Sequence, residues 1–191
     1  MDYWESRYKS LIENGISGNM RVCGISESDE RLYAIIHDIF TKYKSKTQKL
    51  VDFGCGIGRL SMAIKLATNA DEYIGIDTSK TAIEFAQNEC IYSYSVYDGS
   101  IPFCDTLSCL FTVQHIMDDD QIVGYFKQFK AAINGGMVLI VNNVSEREDN
   151  EYMKFRTIER LEELAREGGL ETIDKMPIQH QGEKCCIFVM K

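Results

Sequence analysis

The sequence predicts an α/β fold, a doubly wound and mostly parallel sheet with helices on both faces and an antiparallel last strand. Three observations predict it. Short apolar runs alternate with segments of helical period along most of the chain. The run Leu50-Val51-Asp52-Phe53 passes through Gly54, Gly56 and Gly58 into a helix-compatible segment, Leu60 to Ala67, which reads as buried strand, tight turn and helix. The chain then closes on two strand-like runs, Leu170 to Asp174 and Cys185 to Met190, joined as a hairpin that reverses the last strand. At 191 residues, one domain can bury a core without disulfides.

The elements follow in order. In residues 1–25, Trp4 and Tyr8 lie one helical turn apart with Leu11 and Ile12 on a similar face, before a loop at Asn14-Gly15 and Gly18-Asn19. Ser26-x-x-Asp29 has the form of a capping box. The helix it opens places Leu32, Ile35, Ile36, Ile39, Phe40 and Tyr43 on one stripe, with His37 off it at the surface. After the glycine turn, Tyr73 to Ile76 is a second buried strand closed by Asp77. Thr78 or Ser79 then caps a helix from Lys80 to Asn88 with Ala82, Phe85 and Ala86 inward. Ile91 to Tyr97 is the third strand, running into Asp98-Gly99-Ser100-Ile101-Pro102-Phe103. Asp105 to Thr112 is the fourth, and Val113-Gln114-His115-Ile116 turns off its end. Asp118 or a neighbour caps the next helix, with Ile122, Phe126, Phe129 and Ile133 inward and Asn134-Gly135-Gly136 as its stop. Met137 to Val141 is the fifth strand, with Asn142 and Asn143 at its tip. A charged loop (Ser145 to Glu151) precedes a helix from Thr157 to Glu167, stopped by Gly168-Gly169. The terminal hairpin turns around Pro177 and Gly182.

Composition excludes several classes. The net charge is −8, and the one basic cluster, Lys42, Lys44, Lys46 and Lys49, fits a solvated helix end. Such a surface disfavours nucleic-acid backbone and suits a small molecule or a basic peptide. The seven cysteines include no C-x-x-C pair and one adjacent pair, Cys185-Cys186. They read as reduced core residues of a cytoplasmic protein. The segment Met1-Asp2-Tyr3-Trp4-Glu5 lacks the basic start and apolar run of a signal peptide, and no stretch approaches transmembrane length.

The glycine block carries the chemistry. Glycine at alternate positions lets a ligand lie against bare backbone where a Cβ would collide. A nicotinamide dinucleotide loop wants Gly-x-Gly-x-x-Gly, and here Arg59 occupies the sixth position, so that pattern fails. Asp77 stands at the end of the strand after the loop, 25 positions beyond Asp52. In a sheet of this winding that end lies beside the glycine turn, where a carboxylate can accept bonds from both hydroxyls of a ribose.

Together, Asp52-Phe53-Gly54-Cys55-Gly56-Ile57-Gly58 resembles motif I of the class I S-adenosylmethionine (SAM) dependent methyltransferases, hydrophobic-Asp-x-Gly-x-Gly-x-Gly. The resemblance extends more weakly from Lys49 to the C-terminus. It implies a Rossmann-like, seven-stranded sheet and a single methyltransferase domain over 1–191, in which 1–25 is a lid-like extension on a core at 26–191. It also implies SAM as cofactor and S-adenosylhomocysteine (SAH) as product. Asp52 would help hold the amino group, the backbone of Gly54, Cys55 and Gly56 would pass under the methionine chain, and Arg59 would meet the carboxylate. Asp77 with Thr78 would take the ribose. Asp98 and Gly99 open a segment similar to the family's Asp-x-x-x-Leu-Pro-Phe beside the adenine. Val113-Gln114-His115-Ile116 is similar to the family's hydrophobic-x-His-hydrophobic, with Val113 on the cofactor side, although Cys104 stands where the family usually has Phe.

On the acceptor side the candidates are His115, Asn142 and Asn143, with Trp4 and Tyr8 closing the space from the N-terminal side. His115 is the candidate proton acceptor, with pocket lining as its other role. The absence of Asn/Asp-Pro-Pro-aromatic after the fourth strand argues against methylation of base amino groups, and neither Pro102 nor Pro177 precedes a cysteine, as cytosine-C5 chemistry requires. Asp118-Asp119-Asp120 reads as helix capping and dipole matching, so no metal is expected. The expected acceptor is an O or N atom of a small metabolite. One alternative is a protein or peptide amine, since Gly-Ile-Gly-Arg, His115 and Asn142-Asn143 are similar to the N-terminal methyltransferases; there Asn143 with Asp149 or Glu151 would hold the cationic terminus. Another is a SAM-binding partner or regulator without catalysis.

Overall fold

The structure, a computed structural model, describes residues 3–15, 27–43, 47–145 and 148–191. Ser26 of the expected capping box, the Gly18-Asn19 turn, Lys44 and Lys46 lie outside the described residues. The elements are α1 (Tyr3–Glu13), α2 (Glu27–Tyr43), β1 (Lys49–Phe53), α3 (Ser61–Thr68), β2 (Glu72–Asp77), α4 (Lys80–Glu89) and β3 (Ser93–Val96). Then come β4 (Cys104–Leu110), a single 3-10 turn (Val113–His115), α5 (Asp119–Ala132), β5 (Ile133–Asn143), α6 (Ile158–Glu167), β6 (Thr172–His180) and β7 (Glu183–Met190). The seven strands form one sheet in the order β3-β2-β1-β4-β5-β7-β6. β7 alone runs against its neighbours, antiparallel to both β5 and β6. This is the Rossmann-like, doubly wound architecture expected from the sequence. By contacts the chain divides into two compact units, Met1–Gly99 and Ser100–Lys191.

In the first unit, β1 and β2 pair in parallel from Lys49↔Glu72 to Phe53↔Ile76, and β3 continues outward from β2. Leu50 and Val51 are fully buried, as an apolar run sandwiched by helices must be. The α2 stripe buries Leu32, Ile36, Ile39 and Phe40, and α2 packs on α3, which contributes Ala63, Ile64 and Ala67. Of the two candidate caps for α4, Ser79 is the one used: its Oγ accepts the Ala82 N–H at 3.1 Å. β3 is shorter than expected, and only Tyr94 in it is buried.

In the second unit, Asp118 Oδ1 caps α5 by accepting the Asp120 N–H at 2.9 Å, and Ile122, Phe126 and Phe129 fill the core. Two expectations are corrected here. The α5 helix stops at Ala132, and Ile133-Asn134-Gly135-Gly136 opens β5 instead of ending the helix. The reason is a close approach: a Cβ on Gly136 would overlap the Asp105 carbonyl, where the β4–β5 register shifts between Cys104 and Thr106. Likewise Pro177 lies inside β6, paired with Cys186, and not at the bend. β6 is the sheet edge, where a residue without an N–H is tolerated. The bend is Gln181-Gly182 (φ 51° and 81°), two left-handed residues that match the twist of a tight hairpin.

One reading of the cysteines is also corrected. Cys55, Cys104, Cys109, Cys185 and Cys186 are free, but Cys90, at the end of α4, is disulfide-bonded. Among the described residues no helix is long and apolar enough to cross a membrane.

Candidate functional site

The glycine turn grows out of β1 because its three glycines, Gly54, Gly56 and Gly58, all take left-handed backbone (φ 76°, 54° and 79°). Other residues reach that region at a cost. The turn is laced to the end of β2. Gly54 N–H and Cys55 N–H donate to the Ile76 carbonyl at 2.8 and 3.2 Å. Gly56 N–H donates to Asp77 Oδ2 at 2.9 Å, and Ser79 N–H donates to Asp77 Oδ1 at 2.9 Å. The Asp77 carboxylate therefore joins the turn to the start of α4 and is held rigidly. Thr78, Asp98 and Gly99 are exposed.

Asp52 is buried at the end of β1 and accepts the Tyr73 hydroxyl at 2.8 Å. Tyr94 donates to Ser61 Oγ at 2.8 Å, and Ser61 Oγ lies 2.8 Å from the Tyr73 hydroxyl. The donors thus run in one direction, Tyr94 to Ser61 to Tyr73 to Asp52. Burial, and then the charge of Asp52, push the Tyr73 phenol well above its ordinary pKa, so it stays a donor. Burial and the Asp77 charge do the same to the Cys55 thiol. Arg59 places Nη1 at 2.8 Å from both oxygens of Asp29 on α2, and that carboxylate is 1% exposed. The sequence reading assigned no partner inside the chain to Arg59; this ion pair supplies one.

The N-terminal helix also reaches this turn. Glu5 on α1 accepts the Ser79 hydroxyl at 2.7 Å, the Thr81 hydroxyl, and the Thr81 N–H at 3.3 Å, all at the positive end of α4. One turn later, the Tyr8 hydroxyl stands against Gly56, where a Cβ would come within 2.5 Å of it. Burial, then the neighbouring Asp77 charge, raise the Tyr8 pKa well above its ordinary value. Trp4 stacks at a tilt on Tyr8, ring centres 5.7 Å apart. Of the two aromatics expected beside the acceptor, Tyr8 is thus brought to the glycine turn, with Trp4 against it.

In the second unit, the chain leaves β4 through Phe111, a non-glycine residue at φ 56°, and enters the Val113–His115 turn. Val113 and Gln114 are buried. His115 Nδ1 lies 2.9 Å from the Tyr152 carbonyl, and His115 Nε2 lies 3.4 Å from the Gln114 amide nitrogen. Gln114 Oε1 accepts the Asn143 N–H at 2.9 Å. Asn142 is fully buried at the tip of β5; its Nδ2 donates to the Asn143 carbonyl at 2.9 Å, while its Oδ1 has no hydrogen-bond partner among the described residues. Asn143 Oδ1 accepts the Cys185 thiol at 3.0 Å. The structure therefore brings Val113, His115, Asn142 and Asn143 to one end of the β4–β5 pair.

Asp119 is the residue that sequence reasoning missed most completely. Its Oδ1 accepts from Lys154 Nζ (2.9 Å), Arg156 Nε (3.0 Å) and Arg156 Nη2 (2.8 Å), and its Oδ2 from Arg160 (2.9 Å). Burial opposes its charge, but these hydrogen bonds and the Arg156 charge outweigh burial and hold its pKa well below the carboxylate range. Asp149, a candidate for binding a cationic terminus, accepts the Phe155 N–H at 2.8 Å. Among the described residues no group of three His, Cys, Asp or Glu side chains is arranged to hold a metal ion.

The glycine turn, tied to an acid at the end of the next strand, lies where doubly wound α/β sheets commonly bind nucleotide ligands. Residues 34–96, which contain the turn and Asp77, match the family described as methyltransferase small domain. The fold is shared with SAM-dependent methyltransferases of known structure. A SAM-dependent methyltransferase from Clostridium acetobutylicum shares the fold over 97% of this chain and 96% of its own, at 14% identity and a TM-score of 0.71. The magnesium protoporphyrin IX methyltransferase of Synechocystis, solved with bound SAH, does so over 99% and 96%, at 13% identity and a TM-score of 0.73. An O-methyltransferase of neocarzinostatin biosynthesis, in complex with SAH and 1,4-dihydroxy-2-naphthoic acid, covers 84% of this chain and 56% of its own, at 20% identity and a TM-score of 0.64. No curated protein matches the chain in sequence.

Proposed function

We propose that this protein transfers the methyl group of SAM to an O or N atom of a small-molecule acceptor and releases SAH. The observation that carries the reading is the 2.9 Å bond from Gly56 N–H to Asp77, which fuses the bare-backbone cradle and the ribose acid into one rigid unit. The charge around it agrees. Asp52 and Asp77 flank the turn, with Asp98 beyond β3, and Arg59 is paired with Asp29. An acidic cradle complements a cofactor that bears a sulfonium and an ammonium group. Bound there, SAM supplies a methyl group already activated toward a nucleophile, its sulfur leaving as a neutral thioether.

The chain's own residues do the rest. In this reading Asp77 with Thr78 holds the ribose, Asp98 and Gly99 the adenine, Asp52 the amino group, and the Gly54–Gly56 backbone the methionine chain. Arg59 meets the carboxylate through guanidinium N–H groups beyond those used on Asp29. His115 accepts the proton displaced from a hydroxyl or protonated amine, and Asn142 and Asn143 orient the acceptor. Tyr8 of α1 covers the turn at Gly56, with Trp4 against it.

A small acceptor is supported by the two structural neighbours that act on, or were solved with, small ring compounds. The peptide-amine alternative keeps Asn143 with Asp149 or Glu151 as its anchors, Asp149 also accepting the Phe155 N–H at 2.8 Å. A cytoplasmic setting fits the five free cysteines, while the disulfide at Cys90 speaks against it. The test is mass spectrometry of a metabolite extract incubated with SAM bearing a labelled methyl group. A new labelled small molecule, lost with Asp77→Ala, is expected. Label in peptides alone would overturn the acceptor class, and SAM binding without any transfer would leave a regulator.

A further inference from the structure

We infer that His115 is held with its hydrogen on Nδ1, leaving Nε2 as the basic ring nitrogen, and that Gln114 is the residue that positions it. The catalytic consequence rests on the proposed role of His115, whereas the tautomer stands on geometry alone. Two separate contacts lead to the same proton position. Nδ1 lies 2.9 Å from the Tyr152 carbonyl oxygen, and a carbonyl only accepts, so Nδ1 must carry the hydrogen. On the opposite side of the ring, the orientation of the Gln114 amide is set by its own bond. Its Oε1 accepts the Asn143 N–H at 2.9 Å, so its other end is the NH2. That NH2 stands 3.4 Å from Nε2, and a donor there requires a lone pair on Nε2. The second contact is the longer and weaker, but it has the same sign.

Both partners are anchored. Gln114 is buried, and its backbone carbonyl accepts the Lys154 N–H at 2.9 Å. The Tyr152 segment is pinned on both sides. Asn150 Oδ1 accepts the N–H groups of Tyr152 and Met153 at 2.9 Å each, and Asp119 grips Lys154 and Arg156. In water a neutral imidazole favours hydrogen on Nε2, so this arrangement reverses the ordinary preference. The chemistry that follows is balanced. As the bond from the acceptor atom to the methyl carbon forms and the carbon–sulfur bond breaks, the acceptor's proton takes the Nε2 lone pair, displacing the longer Gln114 contact. The imidazolium then shares its charge with the Tyr152 carbonyl until Nε2 releases the proton to water.

The experiment is long-range 1H–15N correlation spectroscopy on the full chain with 15N-labelled histidine, at a pH where the imidazoles are neutral. The chain has three histidines, and the spectrum of His115→Asn identifies the signals of the missing one. The expected pattern is a protonated Nδ1 and a pyridine-like Nε2 for His115. The reverse pattern overturns the inference. Gln114→Glu replaces the NH2 with an oxygen that only accepts. In a protein that still melts cooperatively, it is expected to move the hydrogen toward Nε2 and to lower kcat at least tenfold, with SAH affinity kept within threefold. A folded Gln114→Glu protein with an unchanged ring spectrum would remove Gln114 from the assignment. If instead the wild-type ring shows the expected tautomer while His115→Asn keeps full turnover, the catalytic role fails and the tautomer stands.

Discussion

Two aspartates illustrate how the same side chain serves binding in one place and architecture in another. Asp77 accepts the backbone N–H groups of Gly56 and Ser79 and, in the proposed function, also the hydroxyls of the ribose. Asp77→Ala should therefore weaken SAH binding by about 1.5–3 kcal/mol, the range for hydrogen bonds to a charged group, as measured by titration calorimetry. Unchanged affinity in a folded variant would sink the ribose assignment. Asp119 is instead surrounded by its own chain. Its loss would leave the Arg156 guanidinium, whose side chain is 1% exposed, without its counter-charge. Breaking a buried ion pair costs about 3–5 kcal/mol, and Asp119 is partly open to solvent, so Asp119→Asn should cost about 3 kcal/mol in urea unfolding at neutral pH. The pH dependence has a definite sign. A carboxylate whose pKa is depressed on folding contributes stability above its unfolded pKa, about 3.9, and that contribution is lost as the pH falls toward the folded value. Wild-type stability should drop below about pH 4, and the Asn variant should lack that component of the drop.

At the level of elements, α1 is clasped to the glycine turn. Glu5 docks it on the N-terminus of α4, and Tyr8 lies over Gly56. The hydrogen bonds from Thr81 and Ser79 hold the Glu5 pKa below its ordinary value. The docking is therefore at full strength above the ordinary Glu pKa, about 4.3, and weakens as the pH falls below it. If Tyr8 covers the cofactor, removing residues 1–12 should reduce SAH-induced thermal stabilisation together with turnover. Stabilisation that survives the deletion intact would return α1 to the acceptor side. A gentler comparison keeps the helix. Glu5→Gln should loosen α1, read as faster amide exchange across residues 3–13, while the amides of α5 and α6 stay unchanged.

For the molecule as a whole, what was legible in the sequence is what local chemistry determines. The buried run Leu50-Val51, the three glycines after it and Asp77 at the end of β2 are signals a few residues long, and all fell where the periodicity put them. What escaped depends on residues far apart in the chain. Gly136 opens a strand because the Asp105 carbonyl passes beside it, and Pro177 is tolerated because β6 lies at the sheet edge. Glu5 reaches Thr81 across 76 positions, and Asp119 gathers cations 35 to 41 positions away. No spacing rule announces such pairs. The same division bears on how the molecule should respond to its cofactor. Of the proposed cofactor residues, all but Val113 lie in Met1–Gly99, one of two compact units. A ligand that binds only the folded state at 100 times its Kd stabilises it by about 2.7 kcal/mol. For a chain of this size each kcal/mol raises Tm by about 2–4 °C, so saturating SAH should raise it by about 5–10 °C in scanning calorimetry. If both units melt together, one transition moves. If they melt separately, the transition containing the glycine turn should move and the other should stay, and Asp77→Ala should diminish the shift in either case. NADH at the same concentration should move neither, because Arg59 stands where a dinucleotide loop needs glycine. An equal shift with NADH would overturn the cofactor assignment.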